Sequence, residues 1–381
     1  MEGINAFAAS YYFNYLFFLL RDRFGFGNRE NLAVSALHGF IYIFAAWQCG
    51  KFAERRGFLT SLRVGFCGMA VALLVASQLH SVTGQLVALA LWTIAMMFTW
   101  PALEALVSVG ETRAGVQRMV GIYNCVWSGS AALACFIGGA FFEALGVQSL
   151  YWLPAGLHGA QLLLLVWIGK KTSPPASQAA PAPAAIPHEP EPAALRQPIR
   201  PKTFLNMAWL ANPFAYVAIN TVLAVIPELA KRFDLTVTAS GFVCSIWFVT
   251  RLSTFALLWH WTGWHYRFRW LAAAFMTLIA SFAMLLLAQK LWLLVLAQIG
   301  FGAAVGLIYY SSLFYSMDVG ETKGEHGGIH EAFIGLGICV GPAIGATALQ
   351  LTPQYANAGT YAVSALLCMG LAGLVWLRAR K

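Results

Sequence analysis

Charged side chains are rare inside the long apolar runs of this sequence, and the few that occur are where chemistry could sit. Arg251 lies within the run SGFVCSIWFVTRLSTFALLWH. An unpaired guanidinium in lipid costs at least about 2.5 kcal/mol on insertion scales. Arg251 therefore faces a watery cavity or a partner, or it snorkels across the roughly two turns to the end of its run. Glu331 and His330 open the run GEHGGIHEAFIGLGICVGPAIG. In it Gly337, Gly341 and Gly345 recur every fourth residue, a smooth ridge for close helix packing. His330 extends that ridge, while Glu331 is turned about 100° from it, towards a neighbour or a cavity. A carboxyl there could load and release a proton, with His330 beside it; the alternative is a first-turn acid favoured by the helix dipole. Glu104, in WPALEALV, is a second proton-coupling candidate, with an interfacial role as its alternative. His326 and His330 would share a helix face beside carboxylates, the ligand types and spacing of a metal site. Gly327 and Gly328 weaken a helix there, so no metal is expected. A metal-dependent membrane enzyme using His326, His330 and Glu331 stays as the rival to a protein that is no enzyme.

These residues need elements to hold them, and composition says which. Hydrophobic residues are 59% of the chain and charged ones 10%, against roughly 25% charged in an average soluble domain, so a bilayer is the expected surrounding. A net charge of +9 would suggest nucleic acid in a soluble protein. Here the bases fall in loops beside apolar runs, where they set orientation and meet anionic lipid. Nucleic acid is therefore not an expected partner. The seven cysteines sit inside or at the ends of apolar runs without paired spacing, and read as small buried residues. No cofactor is expected, and without a Gly-rich Lys-Ser/Thr phosphate loop ATP is not the driver. Residues 3–20 lack a basic leader and precede Arg21, Asp22 and Arg23, so they read as a first crossing rather than a cleaved signal.

Twelve runs of about 20 residues can each cross as a helix, because only a helix satisfies its own backbone in lipid. Six fall in residues 1–169 and six in 204–381. Between them, residues 170–203 hold nine of the fifteen prolines among Ala, Ser and Gln, the composition of an extended tether. VGETR at 109–113 recurs as VGETK at 319–323, and Arg23-Phe24 recurs as Arg232-Phe233 at nearly the same offset. That pattern predicts a parallel six-helix repeat, with a site near the midplane between the halves. With both termini inside, inner segments hold 17 of the 24 Lys and Arg and outer loops six. The excess places both termini in the cytoplasm.

One island interrupts the second and third runs: GKFAERRGFLTSLR, residues 50–63. Four bases face one acid, as expected of a cytoplasmic turn. Its Gly50, Glu54, Arg55 and Gly57, with Arg56 between and Arg63 downstream, resemble the loop between the second and third helices of the major facilitator superfamily. Glu54 stands where that family usually has Asp. The resemblance implies an all-α membrane fold of twelve helices in two six-helix halves. It also implies secondary active transport by alternating access, as symporter or antiporter, and a cytoplasmic latch in which Glu54 is the acid and Arg55 its partner. A non-transporting receptor on the same scaffold is the other alternative. In the second half the matching loop reads WHWTGWHYRFR and has no acid.

Buried amides and phenols cost free energy unless paired, so some should line the cavity. The candidates are Asn5, Tyr12 and Asn14 in the first run, Asn124 and Trp127 in the fifth, Asn220 in the seventh, Arg251 in the eighth, and Tyr309 and Tyr310 in the tenth; an interfacial aromatic belt is the alternative for such rings. No dense set of fixed charges appears, which predicts a mildly polar, aromatic or amphipathic organic solute. The expected partners are a lipid bilayer, that solute and a coupling proton. The expected setting is the cell membrane, and the expected state a monomer.

Overall fold

The computed structural model describes residues 1–108, 113–171, 201–319 and 323–380. The described residues are helical throughout apart from short connections. The first half comprises α1 (Glu2–Phe24), α2 (Asn28–Arg56), α3 (Phe58–Ala76), α4 (Val82–Met97), α5 (Trp100–Ser108), α6 (Arg113–Leu145) and α7 (Ser149–Lys171). The second comprises α8 (Pro201–Arg232), α9 (Val237–His260), α10 (Phe268–Leu287), α11 (Leu291–Val319), α12 (Lys323–Leu351) and α13 (Ala358–Ala379). Eleven spans are long and apolar enough to cross a membrane. The twelfth crossing is α1, whose 23 residues cover about 34 Å at 1.5 Å per residue. An even number of crossings puts both termini at one end of the bundle, the terminal end; the other is the distal end.

The island at residues 50–63 is not the loop its charges suggest. Residues 51–56 continue α2, Gly57 alone makes the turn, and Phe58 already starts α3. Gly57 has φ 89°, a left-handed value that favours glycine. At 29 residues, α2 is about 43 Å long and overshoots a hydrocarbon core of about 30 Å, so its charged last turns need no loop to reach water. The fourth crossing also departs from expectation, being two helices. Thr99 N–H bonds the Met96 carbonyl in a tight turn at 2.9 Å, and Pro101 has no N–H to continue the ladder.

The halves repeat one packing scheme. α1 packs on α6 and α7, as α8 packs on α12 and α13; α3 packs on α4 and α7, as α10 packs on α11 and α13. The halves meet along two equivalent seams, α2 with α12 and α6 with α9. Each seam has a glycine at its closest approach, as expected where helices associate without a hydrophobic drive. A Cβ at Gly39 would collide with the backbone of Ile338 and Cys339, and one at Gly139 with the backbone of Val237 and Thr238. Gly337 and Gly341 let α12 lie against the α8 backbone at Pro213 and Val217, while Gly345 faces Leu32. Exposed apolar side chains such as Leu74, Leu163 and Val375 remain for lipid.

At the distal end three polar contacts tie the halves. Arg21 pairs with Glu228 at 3.3 Å. Glu143 accepts from the Val237 N–H at 2.8 Å and from the Thr238 hydroxyl. Arg29, itself paired with Glu30, donates to Gln350 Oε1 at 2.5 Å.

Candidate functional site

Between the halves lies a cavity of about 890 Å³, its open mouth included. Each wall is a helical stripe at i, i+3 and i+4 spacing: Tyr216, Ile219, Asn220 and Leu223 on α8; Tyr123, Trp127 and Ala131 on α6; Glu331, Ile334 and Ile338 on α12. Asn14, Trp127, Asn220, Arg251, Tyr309, Glu104 and Glu331 all line it.

The other candidates sit behind the wall. Asn5 donates to Thr99 Oγ1 at 3.2 Å and so braces the break between α4 and α5. Tyr12 is fully buried against Trp92, ring centroids 4.8 Å apart, inside the first half. Asn124 accepts from Trp127 Nε1 at 3.1 Å and fixes that indole. Tyr310 packs on Phe255 and Trp264. At the island, Gly50 is half-buried and Glu54, Arg55 and Arg56 are exposed. Among the described residues Glu54 and Arg55 make no ion pair. The side chain of His326 and most of 109–113 and 319–323 lie outside the described residues.

One pole of the cavity is acidic. Glu104 and Glu331 are 6% and 4% exposed, come from opposite halves, and hydrogen-bond to each other. The Tyr42 hydroxyl donates to Glu331. His330, 3% exposed, completes a group in which one ligand atom each of Glu104, His330 and Glu331 lie within 4.8 Å of one another. Its Nδ1 is 3.5 Å from Ser312 Oγ. Like charges this close disfavour the doubly ionised pair, so the pair is a place where a proton could be held. A metal ion would instead require Glu and His donors at about 2 Å. The Glu2 carboxylate, whose buried oxygens have no hydrogen-bond partner, is an electrostatic neighbour of both acids.

The other pole is basic. Arg251 is 4% exposed and boxed by rings, its Cζ 4.4 Å from Trp127, 5.0 Å from Trp247 and 5.1 Å from Phe248. Nε donates to Ser128 Oγ of the opposite half at 3.2 Å. Tyr216 and Tyr309 neighbour both Arg251 and the acidic pole.

Sequence reasoning missed Glu2, His38, Tyr42, Tyr123 and Tyr216. His38 bonds Thr93 Oγ1 at 2.8 Å and packs against Phe13, ring centroids 4.4 Å apart and planes tilted by 41°. A histidine in the middle of a crossing was a usable signal for it. The tyrosines carried none, being ordinary in such runs.

A two-half bundle around a polar, aromatic cavity is the architecture of a membrane carrier. The sequence profile of the Major Facilitator Superfamily matches residues 4–342, and the chain belongs to that family; it is a multi-pass membrane transporter. Two solved structures are similar in fold. One is the human organic anion transporter MFSD10 (TETRAN), 15% identical, covering 98% of this chain and 96% of that one with a TM-score of 0.68. The other is the nucleoside transporter NupG, 13% identical, covering 100% and 98% with a TM-score of 0.69. No curated protein matches the sequence.

Proposed function

We propose that the protein is a secondary active transporter that carries a small organic solute by alternating access and couples it to a proton at Glu104 and Glu331. The halves rock about the cavity, with the distal ties closing one side and the island at Glu54 and Arg55 serving the other. The distribution of Lys and Arg supports a cytoplasmic terminal end, and a cavity complete within one chain supports a monomer. The chain is then a carrier and not a catalyst.

The observation that carries this reading is the close approach of the Glu104 carboxyl of the first half to the Glu331 carboxyl of the second, both on the cavity wall; a proton held between them is part of the proposal. Removing that proton sets two carboxylates against each other across the interface that must open. Loading and unloading it therefore biases the angle between the halves. The test is uptake into proteoliposomes across a panel of organic solutes, with and without an imposed pH gradient. The expected result is gradient-dependent accumulation that Glu331→Gln abolishes while solute exchange without a gradient survives. Uptake that ignores the gradient in the unmodified protein would remove the coupling.

The group formed by Glu104, His330 and Glu331 also favours a second reading, a metal site. Loss of transport on chelator treatment, restored by one divalent ion, would select it.

A further inference from the structure

The cavity contains a buried cation, Arg251, with no counter-ion among the described residues. The titratable neighbours that act on Arg251 are Tyr216, Tyr309 and Cys135, none of them a carboxylate. Its Nη2 is buried without a hydrogen-bond partner. Stacked rings offset only about 0.5–2 kcal/mol of a cation's desolvation, while an uncompensated buried charge costs several. The other unpartnered buried atoms on the lining point the same way. They are Asn14 Nδ2, Trp92 Nε1 and Trp247 Nε1. Indole and guanidinium nitrogens can only donate, so what the wall lacks is an acceptor.

We infer that Arg251 is the anchor for the carboxylate of an aromatic organic acid, whose ring lies along the aromatic wall while its oxygens take up the free N–H donors. A carboxylate matches the guanidinium fork and makes charge-assisted bonds, and the fork still has its Nη2 free for one. The acidic pole does not oppose this, because neither Glu104 nor Glu331 is among the groups that act on Arg251. The inference rests on the reading of this cavity as a transport site and adds the charge and chemistry of what enters it.

The test uses the full chain in lipid nanodiscs and three probes with one ring: indole-3-acetate, indole-3-acetamide and tryptamine, repeated with phenylacetate, phenylacetamide and phenethylamine. Thermal melting and radioligand binding are read together. The acids are expected to raise the melting temperature and bind about tenfold or more tighter than the amides, as for hydrogen bonds to a charged group. Arg251→Gln should erase that gap while melting no lower than the unmodified protein when empty. Arg251→Lys should keep part of it, since an ammonium retains the charge but not the fork. Should Arg251→Gln lose its cooperative melt, the lysine variant decides, because the gap must still narrow several-fold. The inference is overturned if amide or amine matches the acid, if the acids stabilise Arg251→Gln equally, or if no acid shifts the unmodified protein. Acid-selective binding without gradient-driven uptake would leave the anchor standing and remove the coupling; gradient-driven uptake of the neutral amide would do the reverse.

Discussion

The two ends of the bundle hold their halves in different ways. At the distal end charged and polar side chains from opposite halves meet in pairs: Arg21 with Glu228, Glu143 with Val237 and Thr238, Arg29 with Gln350. At the terminal end the charged side chains of Lys51 to Arg63 lie exposed on the ends of two helices of the same half, and Glu54 and Arg55 pair with no described residue. Charge by itself does not mark the tie; a partner across the seam does, and the stretch Arg21 to Glu30 has one for Arg21 and one for Arg29. The tied end draws Arg21, Arg29 and Glu30 from one turn between α1 and α2, and Glu143 and Glu228 from the ends of two other helices.

The contrast can be broken most strongly at the seam. A leucine at Gly139 would drive its Cβ into the Val237 carbonyl and Thr238, and overpacking costs about 1–3 kcal/mol. With spin labels at Val147→Cys and Gln289→Cys in a cysteine-free background, Gly139→Leu should raise the longer-distance population by up to about 100-fold and lower the melting temperature by several degrees. Glu143→Ala comes next. It removes two hydrogen bonds at about 1 kcal/mol each, and the same label pair should report a shift of roughly 30-fold. Arg21→Ala should move the population less than about fivefold, because a partly exposed ion pair contributes about 0.2–1 kcal/mol; Glu228→Ala should then add nothing further. Glu54→Gln sharpens the contrast from the other side. It is expected to leave melting and label distance unchanged, within the roughly 0.5 kcal/mol typical of surface changes, and to slow only the turnover rate measured by uptake. A distal shift in Glu54→Gln as large as that of Glu143→Ala would abolish the distinction between the ends.

Most of the architecture was legible because its constraint is simple. Runs of about 20 apolar residues must be helices in lipid, and the repeat of Arg23-Phe24 in Arg232-Phe233 marks the same helix end in both halves. What escaped was local. The chain leaves α2 at one glycine, Gly57, and the fourth crossing breaks at Thr99; neither is encoded in hydropathy. In the cavity, Arg251, Glu104 and Glu331 stood out because a charge in an apolar run has few places to go. Tyr42 did not, since its partner Glu331 is 289 residues away on the other half. Asn5 and Tyr12 share a helix with Asn14 but turn into the first half's own core, a choice set by Thr99 and Trp92 that helical periodicity leaves open.

Gly39 and Gly139 give the joint between the halves its character. Along both seams main chain runs against main chain, and no knob of one helix is seated in a hole of the other at those crossings. A change of tilt pivots main chain on main chain at these two points, while Trp259 against Gly121 and Tyr42 against Gly335 must refit further along the same seams. The closed form is then held by the clasps at its rim together with the bonds of Tyr42 to Glu331 and Arg251 to Ser128 deeper in, and opening must release both sets.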